Sequence, residues 1–346
     1  VSRRRSQRNS VPVHLVPNAL FAPHHDGSRF FCPWGVPRRT VLDVLRWQLR
    51  RVPARDRRPR APIPREENDG ASLARVAERA ELTWIGHCSF ALHEGERVAL
   101  LDPHFGPRAL VPKRWSPPGI PLAAVPGDAV ALLSHNHYDH LDRWTLERLP
   151  KSIEWLVPLG LGGYVRRFGY AGVRELDWWQ EAEVGGWRFT LLPVQHWSRR
   201  LSQPENSTLW GAWLVDTGRT RLFFGGDSGW FAGFAEIGRR LAPLDVALLP
   251  IGAYEPRWFM KFAHLNPAEA LAAARDLGVR EMVPMHWGAF DLADDAVDEP
   301  PRVLAELLGR PENADQPPVV RQPAVGERLL IARRGSAASR QIIPTK

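Results

Sequence analysis

A chain of 346 residues that is 44% hydrophobic and 24% charged, with 15 Trp, can bury a large core, and that balance excludes the disordered and fibrous classes. Two cysteines, Cys32 and Cys88, cannot build a disulfide framework, and no apolar run approaches the roughly 20 residues that cross a bilayer, so the expected setting is reducing and cytoplasmic. The net charge of +8 gathers before residue 70, at Arg38, Arg39, Arg46, Arg50, Arg51, Arg55, Arg57, Arg58 and Arg60; it suits an anionic partner without choosing among nucleic acid, lipid surface and phosphate-bearing substrate.

In chain order, residues 1–28 are polar and basic with scattered Pro and are expected to form a flexible tail. Arg3, Arg4 and Arg5 are followed by Pro12, His14 and Pro17, an interruption that argues against a signal peptide. Residues 29–70 read as an N-terminal extension. Within it Val41, Leu45, Leu49 and Val52 fall at helical intervals while Arg46, Arg50 and Arg51 fall elsewhere. That spacing predicts a basic amphipathic helix, to dock on a membrane or, more commonly, on the protein's own core. Pro53 to Asp69 is a connector rich in Pro and Arg.

The folded body is expected over residues 71–310, opening with a helix around Ser72 to Ala80. Apolar runs predict strands at Leu82 to Ile85, Val98 to Leu101, Ala129 to Leu133, Arg188 to Leu192, Arg221 to Phe224, Val246 to Leu249 and Glu281 to Val283. The clearest helix has Asn266 as N-cap, Pro267 at the first position, Glu269 at the third and Gly278 as its stop. Strands with intervening helices indicate an α/β architecture. Residues 311–346 form a Pro-rich C-terminal segment in which Arg328 to Arg333 predicts an edge strand, with frayed residues after it.

Side chains of metal-ligand type follow these apolar runs instead of sitting within them. The run Ala129 to Leu133 leads into Ser134-His135-Asn136-His137-Tyr138-Asp139-His140, and three others lead to His196, Asp227 and His286. Imidazole and carboxylate are ligands that zinc accepts, and an H-x-H-x-D-H loop can aim alternate members at two ions. Ligand type alone leaves iron and manganese open.

The pattern resembles the metallo-β-lactamase superfamily, which implies an αβ/βα sandwich of two mixed sheets flanked by helices, with metal at one end. The resemblance implies a first zinc held by His135, His137 and His196, a second held by Asp139, His140 and His286, and Asp227 bridging both. An Asp at 227, where drug-hydrolysing lactamases of this fold typically carry Cys, points to thioester, lactone or phosphodiester hydrolysis. A closer resemblance covers residues 28 to 310. It rests on Arg29-Phe30 and Pro33-Trp34, on Leu133 to Asp142, on Gly226-Asp227-Ser228-Gly229, on the string Pro250 to Lys261, on His286-Trp287-Gly288 and on Glu299-Pro300-Pro301. These look like the N-acylphosphatidylethanolamine-hydrolysing phospholipase D family. Ala263 departs from that pattern, where a polar Gln is expected in animal members.

That family likeness implies attack on a phospholipid diester, releasing N-acylethanolamine and phosphatidic acid. Asp139 and Asp227 would be the catalytic carboxylates and His264 a non-ligand residue that assists turnover. Tyr254, Trp258, Phe259 and Met260 are expected either to line an acyl groove or to pack in the core. Asp102 and His87 are expected to orient metal ligands, and Cys88 to be a small buried hydrophobe. A lactonase or other small-ester hydrolase is the alternative, and a nuclease ranks lower because the 250–261 string points elsewhere. A phospholipid substrate, peripheral membrane contact and no nucleic acid are the expected partners; the sequence is compatible with a homo-oligomer.

Overall fold

The computed structural model describes residues 17–37, 39–313, 316 and 318–332; the expected tail up to residue 16, Arg38 and the expected frayed end lie outside them. Helix α1 (Val41–Arg50) starts where the spacing predicts, behind a capping box in which Thr40 Oγ1 accepts from Asp43 N and the Asp43 carboxylate accepts from Thr40 N. It buries none of its residues, contrary to the expected docking on the core. Its anchor is Trp47, which stacks on Phe259 with ring centroids 4.9 Å apart and donates to Asp294. Leu42, Leu45 and Leu49 are exposed. Part of the basic excess is used internally, since Arg57 forms a two-pronged pair with Asp291; nearby, the backbone amides of Arg60 and Ala61 donate to Asp298.

No helix forms over 72–80. A single 3-10 turn at Ala71–Ala74 gives way to strand β1 (Ala77–Gly86). The helix propensity of this Ala-, Arg- and Glu-rich stretch is weak beside ladder pairing on both sides of β1. β2 (Ser89–Gly95), β3 (Arg97–Leu101) and β4 (Val130–Leu132) follow side by side. α2 (Arg143–Arg148), β5 (Glu154–Pro158), α3 (Gly162–Arg166) and β6 (Val173–Leu176) complete the first half.

The second half repeats the plan with β7 (Glu181–Val184), β8 (Trp187–Leu192), β9 (Ala212–Asp216), β10 (Arg221–Phe224), α4 (Gly233–Leu241) and β11 (Val246–Pro250). It continues through α5 (Arg257–Met260), α6 (Pro267–Leu277), β12 (Glu281–Met285), α7 (Glu299–Leu308) and β13 (Val319–Val320). β14 (Arg328–Leu330) crosses back to the edge beside β1. Each sheet is antiparallel through its earlier strands and parallel through its later ones. These are the two mixed, helix-flanked sheets of an α/β sandwich. α6 is capped as expected: Asn266 and Glu269 form its capping box, and Gly278 ends it in the left-handed conformation.

Alternation along the strands builds the layers. On β3, Ala99 and Leu101 face the core between the sheets while Val98 and Leu100 face the opposite side; on β4, Val130 and Leu132 divide from Ala131 in the same way. The central layer holds Trp84, Phe90, Phe189, Trp213 and Phe223, all fully buried. Trp213 Nε1 donates to Leu133 O at 2.8 Å, so the second sheet pins the point where β4 opens into its loop. Removing that ring would cost about 3–5 kcal/mol.

Candidate metal centre

The parallel pairing in each sheet brings several strand ends to one rim. β4 releases the 133–140 loop there, β8 leads to His196, β10 to Asp227 and β12 directly to His286. His137 O accepts from His140 N and Leu141 N, which turns the loop back on itself. Arg200, buried, donates Nη1 to Asn136 O at 2.8 Å and Leu141 O at 2.7 Å, and lies over the Tyr138 ring at 4.0 Å. Asn136 reaches the same 199–203 segment through Gln203 and Arg199 N. Gly226 is required beside Asp227: its φ is +53°, and a Cβ there would stand 2.6 Å from Ser134 Cβ.

Two tetrads result. His135, His137, His196 and Asp227 bring one ligand atom each within 4.8 Å of one another, and so do Asp139, His140, Asp227 and His286. Asp227 belongs to both. In the second tetrad His140 Nε2 and His286 Nε2 each lie 3.3 Å from Asp139 Oδ2, and they lie 3.3 and 3.1 Å from Asp227 Oδ2. In the first, His137 Nδ1 is 2.8 Å from His135 Nε2 and 3.2 Å from His196 Nε2. The edge of a tetrahedron with zinc–nitrogen bonds of about 2.0–2.1 Å is about 3.3 Å. Spacing and donor chemistry therefore fit a metal cage in each tetrad. Orphaned atoms agree: Asp227 Oδ1, His140 Nε2 and His286 Nε2 are buried and lack a hydrogen-bond partner among the described residues.

Neighbouring groups fix which nitrogen faces inward. His196 Nδ1 donates to Ala263 O at 2.9 Å, leaving Nε2 for the site. His140 Nδ1 is 2.6 Å from Asp102 Oδ2, and Asp102 also accepts from Ser134 N and Ser134 Oγ. Ser134 Oγ in turn stands 2.9 Å from His135 Nδ1. His87 Nε2 is 2.9 Å from Asp139 Oδ2. Four of these groups or their neighbours hold strained positive φ, namely His87, Asp102, Ala253 and His286, which gathers backbone strain at the centre.

Electrostatics divide the imidazoles. Burial holds His135 and His196 well below the usual range and His137 down to about 4, which keeps them neutral. His140 and His286 are buried too, yet the Asp227 and Asp139 carboxylates raise His140 well above its usual range and His286 to about 9. Against their own burial, the facing imidazoles hold Asp139 and Asp227 well below the carboxylate range. Burial lowers His264 to about 3; its Nδ1 is 3.7 Å from Asp227 Oδ2.

The centre forms the floor of a groove of about 450 Å³ walled by Leu110, Val111, Trp197, Leu201, Phe259 and Met260. A second groove of about 560 Å³ runs beneath α1 along Val36, Val41, Val44, Trp210 and Phe262, and shares Trp47, Trp197 and Phe259 with the first. Of the expected substrate contacts, Phe259 and Met260 thus line the groove. Tyr254 does not: its phenol donates to Glu299 at 2.7 Å. Trp258 is on neither wall; it lies half-exposed under Arg46. Leu110, Val111, Trp197 and Leu201, and the clamp Arg200, escape sequence reasoning because no short-range pattern marks them. His104, fully buried with its Nδ1 3.0 Å from Arg114 Nη2, was likewise unmarked. Burial raises Cys88 well above the usual thiol range, in keeping with an inert buried group.

Comparison with known proteins places this geometry in a family. The model described as a beta-lactamase superfamily domain matches residues 97–287. Two solved structures share the fold: Igni18, a metallo hydrolase from Ignicoccus hospitalis (TM-score 0.54, 20% identity, 73% of this chain and 98% of that one), and isothiocyanate hydrolase from Delia radicum gut bacteria (TM-score 0.58, 16% identity, 72% and 99%). Fold, match and ligand clusters define a metal-dependent hydrolase of the β-lactamase fold. An uncharacterized Mycobacterium bovis protein is 37% identical over 305 residues, covering 84% of this chain and 78% of its own. N-acyl-phosphatidylethanolamine-hydrolyzing phospholipase D 1 of Caenorhabditis elegans is 36% identical over 67% of this chain and 70% of its own. The mitochondrial Saccharomyces cerevisiae enzyme of that name is 34% identical over 71% and 54%. The chain belongs to the N-acylphosphatidylethanolamine-hydrolysing phospholipase D family of the metallo-β-lactamase superfamily.

Proposed function

We propose that the protein is a di-zinc phosphodiesterase that hydrolyses N-acylphosphatidylethanolamine to N-acylethanolamine and phosphatidic acid. The observation that carries this is a pair of ligand tetrads sharing Asp227 on the floor of an apolar groove. His135, His137 and His196 would hold one ion, Asp139, His140 and His286 the other, and Asp227 both. When bound, two such ions supply a water acidified toward neutral pH and positive charge for phosphate oxygens. Only Asp139 and Asp227 among the seven ligands are acidic, so the protein offsets half the charge of two dications and leaves a site that favours an anionic diester over a neutral ester.

In the net reaction the water oxygen joins phosphorus, the bond from phosphorus to the ethanolamine oxygen breaks, and that oxygen takes a proton. His264, neutral because it is buried, offers the departing oxygen a hydrogen bond beside Asp227. Arg257 positions it, donating Nη1 to His264 O at 3.0 Å while Nη2 grips both Glu269 oxygens. Leu110, Val111 and Leu201 are exposed at the groove mouth, as are Val41, Leu42, Leu45 and Leu49 on α1. That apolar rim, with Arg46 and Arg50 beside it, supports peripheral contact with an anionic membrane from which the lipid enters. Among the described residues no helix is long and apolar enough to cross one.

The test is to incubate metal-loaded protein with N-acylphosphatidylethanolamine and identify products by mass. Phosphatidic acid and N-acylethanolamine should appear in equal amounts. His135→Ala and Asp227→Ala should lose bound metal by elemental analysis and at least about a thousandfold in rate. Cleavage of a lactone or RNA with no phosphatidic acid formed would sink the lipid reading.

A further inference from the structure

Where the two grooves meet stands a cation that the reaction just described leaves idle. Arg39 lines both, with Trp47, Trp197 and Phe259. Its guanidinium lies over the Phe259 ring, 4.2 Å from the centroid. Among the described residues it has no hydrogen bond or ion pair, and Nη2 is buried without a partner. Asp43 acts on it only through space, because that carboxylate is committed to the α1 capping box. The arginines that are fully buried, Arg57 and Arg200, are satisfied by Asp291 and by loop carbonyls, whereas Arg39 is half-buried. Burial lowers Arg39 to about 10, so it remains charged at neutral pH. It shares the first groove with His137, Asp139, Asp227 and His264.

A half-buried cation whose neighbouring carboxylate is already committed keeps its donors available to an anion, and a planar guanidinium fork matches phosphate oxygens. We propose that Arg39 binds an anionic oxygen of the substrate's phosphodiester, fixing the headgroup between the ligand tetrads and the junction from which the acyl chains run into the two grooves. This rests on the phosphodiesterase reading above. It makes Arg39 a substrate-binding residue that distinguishes diesters from neutral esters. In the sequence Arg39 stands out only as one of the clustered N-terminal arginines.

Arg39→Met and Arg39→Lys keep the reach of the side chain and its contact with Phe259, and each is compared with wild type as metal-loaded protein with matched thermal midpoints. Two readouts are used: KM and kcat for bis(4-nitrophenyl) phosphate against 4-nitrophenyl acetate, and calorimetric binding of inorganic phosphate, which needs no turnover. Arg39→Met should raise the diester KM and the phosphate Kd at least about tenfold, with kcat changed less than about threefold and the neutral ester unaffected. Arg39→Lys should fall between. An unchanged phosphate Kd, or equal losses on diester and neutral ester, would overturn the proposal. If wild type releases no phosphatidic acid from lipid, the lipid reading fails while the phosphate Kd still decides the role of Arg39.

Discussion

Asp102 shows how much of the centre depends on a residue outside the ligand tetrads. One carboxylate, held at a φ of +38°, accepts from Ser134 N, Ser134 Oγ and His140 Nδ1, and so sets both the start of the His loop and the face that His140 turns inward. Asp102→Asn can keep only part of that pattern, because its amide adds donors where three donors already point. Metal affinity, measured by chelator competition, should fall about 10–100-fold while the far-ultraviolet spectrum stays that of the folded chain. Asp295 makes a different prediction. Burial raises its carboxyl to about 6, against the backbone donors Ala253 N and Glu255 N. A raised acid stabilises the fold fully below its unfolded value of 3.8, and that contribution is lost as pH rises through about 6. The loss amounts to at most about 3 kcal/mol. Asp295→Asn imitates the protonated form, so its stability relative to wild type in denaturant titrations should rise between pH 4 and 7. A flat difference across that window would refute it.

At the scale of elements, α1 is the exception in a molecule whose other helices turn apolar residues inward. It is amphipathic as its spacing predicts, yet most of its aliphatic residues meet solvent, and Trp47 on Phe259 and Arg46 over Trp258 tie it to the body. If that face contacts lipid, replacing Leu42, Leu45 and Leu49 together by Gln should reduce co-sedimentation with vesicles containing phosphatidylserine at least about tenfold. The thermal midpoint should hardly move, since none of the three is buried. A large fall in the midpoint would show instead that the helix packs on the protein. Strand β1 carries the opposite lesson: a stretch with helical composition became a strand because β2 and β14 flank it and satisfy its backbone on both sides.

Across the whole molecule, the proposed ions join the two sheets. His135, His137, Asp139 and His140 hang from the first sheet, whereas His196, Asp227 and His286 hang from the second. Any ion held by both sets stabilises the sandwich by an amount set by its occupancy, about 4 kcal/mol at a thousand times the Kd. Chelation should therefore lower the thermal midpoint by several degrees, and zinc should restore it. Equal midpoints with and without chelator would mean that the sheets do not depend on the ions.

Local chemistry was legible in the sequence by itself. Runs buried on both faces, such as Val98 to Leu101 and Leu222 to Phe224, announce strands because nothing polar interrupts them, and the caps of α6 are read from its flanking residues. The loop 133–140 and the isolated His196, Asp227 and His286 declared ligand chemistry through residue type alone. β2, β5, β6, β7, β9 and β13 were not read from the sequence; Glu181 and Glu183 break the run of β7, and in all six the pairing with neighbours supplies what a short run leaves undecided. Tertiary structure alone decided that Tyr254 serves Glu299 rather than the groove, that Arg200 clamps the His loop from some 60 residues away, and that Arg39 meets the site without a partner. The reason is physical: propensity and ligand type act over a few residues, whereas orientation, desolvation and the pairing of charges depend on which distant segments the sheets bring together.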